Sequence, residues 1–360
     1  MKRTLFLLSL SLAFSALQAQ TNSTGMKPQH DPSNLSRPAP DPQDKNNNFY
    51  DNEPTFSLPG VDLFIEGEVE NPGKVDFSKL VKHSVIVKEA LLKDDTGNRF
   101  VGAYRYDGYS LFDILNDRIL KKKNAADFKP IIDLFVEIEN DKGDKVVLSW
   151  GEIYYPNILH QILIATDVMR IVPSKTKELW PIPAESKLVV GADLITERNI
   201  PRPSRIRVVS YPRTYTVTRD MSPLYAPKVM LLKGEKILEE LTQVPEGIRE
   251  ETQHTIFYGK GRGIHSTQPF SGFYLKNYLS GKIPFSRETL RSGLVVCAGV
   301  DGYRSVYSFS EIANRNDQAE VLVVPSPEGT DGGKFRIFPA CDFFSDRAVK
   351  GLSEIRFEKY

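Results

Sequence analysis

The chain has 360 residues, 40% of them apolar, and its 47 lysines and arginines nearly balance 46 aspartates and glutamates, for a formal net charge of +1. This composition is enough for two globular cores, and it lacks the basic excess that a nucleic-acid binder needs. After the first residues, no apolar run approaches the length of a membrane span.

Residues 1–19 (MKRTLFLLSLSLAFSALQA) place two cations before a short apolar run and then small residues. That is the pattern of a secretory signal peptide cut after Ala19, and it predicts an exported protein, periplasmic or extracellular. Residues 20–59 are rich in Pro, Asn, Asp and Ser, too poor in apolar side chains to order themselves, and predict a disordered leader with His30 solvated in it.

From residue 60 onward, strand patterns dominate. VDLFIEGEVENPGKVDF predicts a strand and a turn at Asn71-Pro72-Gly73, followed by a helix-like SKLVKH. SLFDIL (110–115) predicts a short helix, and FVEIENDKGDKVVLSW predicts a hairpin turning at 141–144. Lys121-Lys122-Lys123 reads as a solvated face ending a helix-like segment. TKELWPIP reads as a loop packing Trp180 beneath prolines.

The order then repeats. YDGYSLFDIL (106–115) aligns with FSGFYLKNYL (270–279), and FVEIENDKGDKVVLSWGEI (135–153) aligns without gaps with LVVCAGVDGYRSVYSFSEI (294–312). KLVVGADLITERNIPRPSRIRVVSY aligns with the C-terminal KFRIFPACDFFSDRAVKGLSEIRFEKY. The expectation is two versions of one fold, over residues 60–212 and 213–360.

In the second version, Gly272, Phe273 and Leu275 open a helix, and Asp301-Gly302-Tyr303 turns a hairpin. Gly333, Arg336 and Pro339, then Val349, Lys350 and Ile355, follow in that order. This ordered set resembles the oxidoreductase molybdopterin-binding domain, the catalytic fold of sulfite oxidase. The resemblance implies an α+β, mainly β architecture: two tandem sulfite-oxidase-type domains, the first more degenerate. The family's chemistry rests on a cysteine thiolate that ligates molybdenum. The matching stretches contain no cysteine: Ala90 or Leu91 stands near that place in the first version, and His254 to Tyr258 in the second. Cys297 lies on the strand entering the Asp-Gly-Tyr turn, the wrong segment to replace it.

YGKGRGIHSTQPF (258–270) alternates three glycines with Lys260 and Arg262 and continues to His265. Such a loop can turn backbone N–H groups and two cations toward an anion, or it can be a solvated loop. In the family the equivalent loop lies beside the cofactor, and the position of Arg336 lines the pterin pocket. An ion pair of Arg336 with Asp301 or Asp342 is the structural alternative. Lys260, Arg262, His265, Asp301, Tyr303 and Arg336 are therefore the candidate binding residues. His254 and His265 with Glu250 match no tight metal motif, and His83 and His160 are expected to be satisfied or solvated. No Gly-x-Ser-x-Gly elbow is present. In an oxidising compartment Cys297 and Cys341 can pair, or they can serve as small buried apolar groups.

Two functions follow. One is an exported binding or accessory protein without redox activity or cofactor, whose partner is an anionic small molecule or a protein. The other is an exported molybdopterin-dependent oxidoreductase with an unconventional metal site. Neither expects a nucleic-acid partner or a membrane span.

Overall fold

Apolar alternation with period two runs through most of the chain, and the computed structural model is accordingly mainly β, 44% strand against 12% helix. It describes residues 53–93, 97–173, 175–326 and 332–360. The signal peptide, His30 and most of the leader lie outside these residues.

The N-terminal half contains β1 (Thr55–Ser57), β2 (Phe64–Gly67), β3 (Gly73–Lys74), β4 (Lys82–Lys93), β5 (Gly97–Ser110), α1 (Leu111–Asn116), β6 (Leu134–Asn140), β7 (Lys145–Ser149), α2 (Trp150–Tyr154), β8 (Ile162–Arg170), β9 (Lys187–Val190) and β10 (Pro203–Ser210). The C-terminal half contains β11 (Val229–Lys233), β12 (Lys236–Leu241), β13 (Glu251–Gln253), β14 (Phe257–Gly259), β15 (Gly263–Ser266), β16 (Phe270–Tyr274), α3 (Leu275–Leu279), α4 (Arg287–Ser292), β17 (Gly293–Gly299), β18 (Arg304–Ser308), α5 (Phe309–Ala313), β19 (Val321–Pro325), β20 (Phe335–Pro339) and β21 (Leu352–Lys359).

One sheet runs β3-β2-β10-β6-β7 and another β12-β11-β21-β17-β18. Each has one parallel contact, β2 with β10 and β11 with β21, and antiparallel contacts elsewhere. Two antiparallel series, β4-β5-β8-β9 and β13-β16-β19-β20, complete the halves. Strand order and direction are the same in both.

The segment around β6 and β17 explains its own composition. Leu134, Val136 and Ile138 face the N-terminal core, and Val295 and Cys297 face the C-terminal one. Their neighbours Phe135, Leu294 and Val296 join Val147, Val306 and Tyr211 in a third cluster between the two sheets. Strands covered on both faces need continuous rather than alternating apolar runs, which is what LFV and LVVCAG supply. The Asp-Gly turn between β17 and β18 is similarly dictated: Gly302 holds φ +80°, and a Cβ there would sit 2.3 Å from the Thr216 carbonyl oxygen.

Three local expectations differ from the structure. The helix anticipated over SKLVKH shrinks to one 3-10 turn, Phe77–Lys79, capped by the Asp76 carboxylate. Val85 and Val87 then take period-two burial, which extends β4 back through Lys82 and His83. The end of the leader is pinned, because β1 pairs with β8 and Leu58 is buried. Lys122 is not on a solvated face: its ammonium lies 2.7 Å from Asp133, whose carboxylate is buried and also meets Arg304 of the other half at 2.9 Å. No helix among the described residues is long and apolar enough to cross a membrane.

Candidate functional site

The six candidate binding residues fall into two groups. The Gly-Lys-Gly-Arg-Gly stretch is the turn of a separate hairpin, β14–β15, in register at Gly259 and Gly263. Lys260, Arg262 and His265 are exposed on it, and neither cation makes an ion pair among the described residues. His265 reaches inward only as a ring 5.3 Å from Phe257, which joins Phe270 and Phe338 in an aromatic cluster. Arg336 sits at this cluster with its guanidinium carbon 4.7 Å from the Phe270 ring centre. It is half-buried, burial lowers its pKa, and its Nε is buried without a partner. It forms no ion pair with Asp301 or Asp342.

Asp301 and Tyr303 belong elsewhere. Asp301 accepts from the Tyr303 backbone N–H at 3.0 Å, which closes the hairpin turn. The Tyr303 hydroxyl donates to the Asp346 carbonyl at 2.5 Å, and its ring meets Phe128 of the N-terminal half. Both side chains serve the turn and the junction.

That junction holds a buried polar network shared by the two halves. Ser149 and Ser308 cap α2 and α5, each in a capping box with the glutamate three residues on. Behind each glutamate lies a buried arginine. Arg198 binds Glu152 through both nitrogens of its fork at 2.9 Å and Asp193 at 2.7 and 2.8 Å. Arg347 binds Asp342 at 2.6 and 2.7 Å, and Glu311 Oε1 lies 2.6 Å from its Nη2. The arrangement crosses the halves reciprocally. Arg198 donates to Ser308 Oγ at 3.0 Å, Arg347 to Ser149 Oγ at 3.3 Å, and Ser149 Oγ to Glu311 at 2.7 Å. Main-chain bonds follow the same exchange: Leu194 N–H to Asn314 O at 2.7 Å, and Phe343 N–H to Tyr155 O at 2.6 Å. Burial pushes the Glu152 and Asp342 carboxyls up, against the pull of their arginines.

A cleft of about 360 Å³ opens over this network, lined from both halves by residues that include Asn157, Gln161, Gly191, Arg315, Asn316 and Cys341. Arg315 is spoken for by Asp317 at 2.8 and 2.5 Å. Its four lining carboxylates, Glu152, Asp193, Glu311 and Asp317, are each paired with an arginine, so the cleft offers no unpaired cation to an anion. None of the six candidate residues lines it.

Within the N-terminal half, His83 of β4, Asp113 of α1 and His160 before β8 come together, with Gln161, the residue after His160, lining the junction cleft. The imidazoles stack with centres 4.0 Å apart and planes 5° from parallel. Asp113 Oδ2 is 2.8 Å from His83 Nε2 and 3.4 Å from His160 Nδ1. Ser110, which caps α1, donates to that oxygen at 2.8 Å and lies 2.9 Å from His160 Nδ1. Burial first, and the adjacent His83 second, lower the pKa of His160.

Cys297 and Cys341 are buried free thiols, and burial pushes both pKa values well up. The junction was hidden in the sequence, although one signal existed: Asp193-x-x-x-x-Arg198 and Asp342-x-x-x-x-Arg347 share their spacing within aligned segments. The histidine cluster had none, because its members come from three distant segments. No protein-family model matches the chain, and no curated protein matches it significantly in sequence.

Proposed function

We propose that the protein is an exported binding or accessory module, built on a duplicated sulfite-oxidase-type scaffold, that performs no redox chemistry. The shared order and direction of the sheets in the two halves, with the reciprocal contacts at α2 and α5, support the duplication. The observation that carries the loss of redox function is the state of the thiols. Molybdenum needs a soft sulfur anion, and both cysteines lie in packed surroundings that favour the neutral thiol. At the place the family gives its ligand, Ala90 has its backbone N–H and C=O bonded to Thr196, and its side chain packs against the core of the other half. These residues do not fit a molybdopterin centre. The junction cleft, its charges already paired, suits a small polar ligand of low net charge better than an anion. One observation favours the oxidoreductase reading: Arg336 keeps a buried, unpartnered Nε, as a pocket for an anionic group would require.

The test is elemental analysis for molybdenum and tungsten, with pterin fluorescence after acid release, on protein from its native exported fraction. We expect neither metal nor pterin. Near-stoichiometric metal with pterin would overturn the proposal.

A further inference from the structure

We propose that His83, Asp113 and His160 form a binding site for one borderline divalent cation of the zinc class, with an open position for water. Among the described residues this is the one group of three or more His, Cys, Asp or Glu side chains whose donor atoms all lie within 4.8 Å of one another. Around a tetrahedral ion with bonds of about 2.0 Å, donors stand about 3.3 Å apart. The carboxylate is already at 2.8 and 3.4 Å from the two imidazole nitrogens, so closure needs only a splaying of the rings and a small retreat of Asp113. Two imidazoles with one carboxylate is a donor set that selects zinc, copper or nickel over magnesium or calcium.

Three features show the cluster to be built rather than accidental. His160 holds φ +63°, in the left-handed region that is unfavourable for a residue other than glycine, and its ring stacks on His83. A β-bulge in the β5–β8 pairing lies at Asp107 and Gly108, and Gly108 is the register partner of His83. Bulges of this kind redirect side chains near sites. Finally, the Ser110 hydroxyl meets both Asp113 Oδ2 and His160 Nδ1 and so holds these two donor atoms side by side; an ion entering between them takes its place. The three side chains are between a quarter and a third exposed, so water has access to a fourth position. The imidazoles must be neutral to ligate, so binding weakens in acid.

The experiment is titration of the chelator-treated full chain with ZnCl2 by calorimetry, followed by X-ray absorption at the zinc edge. We expect one ion per chain, bound at micromolar Kd or tighter, with two imidazoles among its N/O donors. His83→Gln, Asp113→Asn and His160→Asn each weaken binding at least tenfold, with His160→Asn chosen because asparagine tolerates the positive φ. His265→Gln leaves binding unchanged. Unaltered affinity in His83→Gln and His160→Asn would overturn the assignment, as would wild-type protein that binds no zinc at 1 mM. If a variant fails to fold, the absorption spectrum of the wild-type complex decides: fewer than two imidazoles rules the site out. The outcome is independent of the molybdenum assay.

Discussion

Replacing Arg347 with methionine removes one cation from a place where nothing else can compensate. The guanidinium is fully buried and holds Asp342 by two bonds at 2.6 and 2.7 Å, with Glu311 2.6 Å away. Methionine roughly fills the stem's volume, so the loss is mostly electrostatic: two buried carboxylates left without their arginine. Breaking a buried pair in this way costs about 3–5 kcal/mol, and with about 1.5 °C per kcal/mol for a chain of this size the melting temperature falls by roughly 4–8 °C. The pH dependence carries the sharper test. Burial already raises the Asp342 carboxyl above its usual range, so the native state keeps a proton that the unfolded chain releases near pH 4. The group's contribution is complete below that pH and declines as pH rises through the native value. Removing Arg347 raises the native value further, so the variant's deficit is largest near pH 7–8 and shrinks toward pH 4. Urea melts followed by tryptophan fluorescence and circular dichroism, at several pH values, measure it. Adding Asp342→Leu and Glu311→Gln to the variant should recover most of the loss. A deficit below about 1 kcal/mol at pH 7.5, or one that grows on acidification, would refute the reasoning.

Gly151→Ala should destabilise by about 2 kcal/mol or more, because a Cβ there would stand 2.3 Å from the Arg347 guanidinium and so overpack the network; thermal melts read this directly, and a neutral result would show that Arg347 can relax. Lys260→Ala with Arg262→Ala should leave the melting temperature within the shift given by about 0.5 kcal/mol, since both sit exposed on a hairpin turn without ion pairs; a larger drop would mean these cations are held by contacts within the fold.

Turns and buried strands were the legible part of this protein. Asp301-Gly302 and the 141–144 segment announce hairpins through residues whose backbone preferences are local, and Ser110 announces α1 by the oxygen that caps it. Lys122 was illegible because three consecutive lysines look solvated; only the fold brings Asp133 beneath the middle one. The same holds for the two arginine centres. Arg198 and Arg347 are ordinary charged residues in sequence, and they become interior anchors once α2 and α5 face each other. Lys260 and Arg262 are ambiguous in another way, because a glycine-rich pattern that suits anion binding is equally what a tight hairpin turn requires.

The exchange of bonds at the junction has a consequence for how this protein can vary. A symmetric homodimer built the same way would have to accept every substitution twice, once on each side of its axis. Here one polypeptide supplies both sides, and they already differ: Gly151 makes room for an arginine, while Ser310, in the matching place, bonds Asp193. Pro156 bridges to Asp342 where Arg315 bridges to Asp193. The junction therefore carries unlike side chains on its two sides while the bonds across it are kept, and the cleft above it is lined differently from each half.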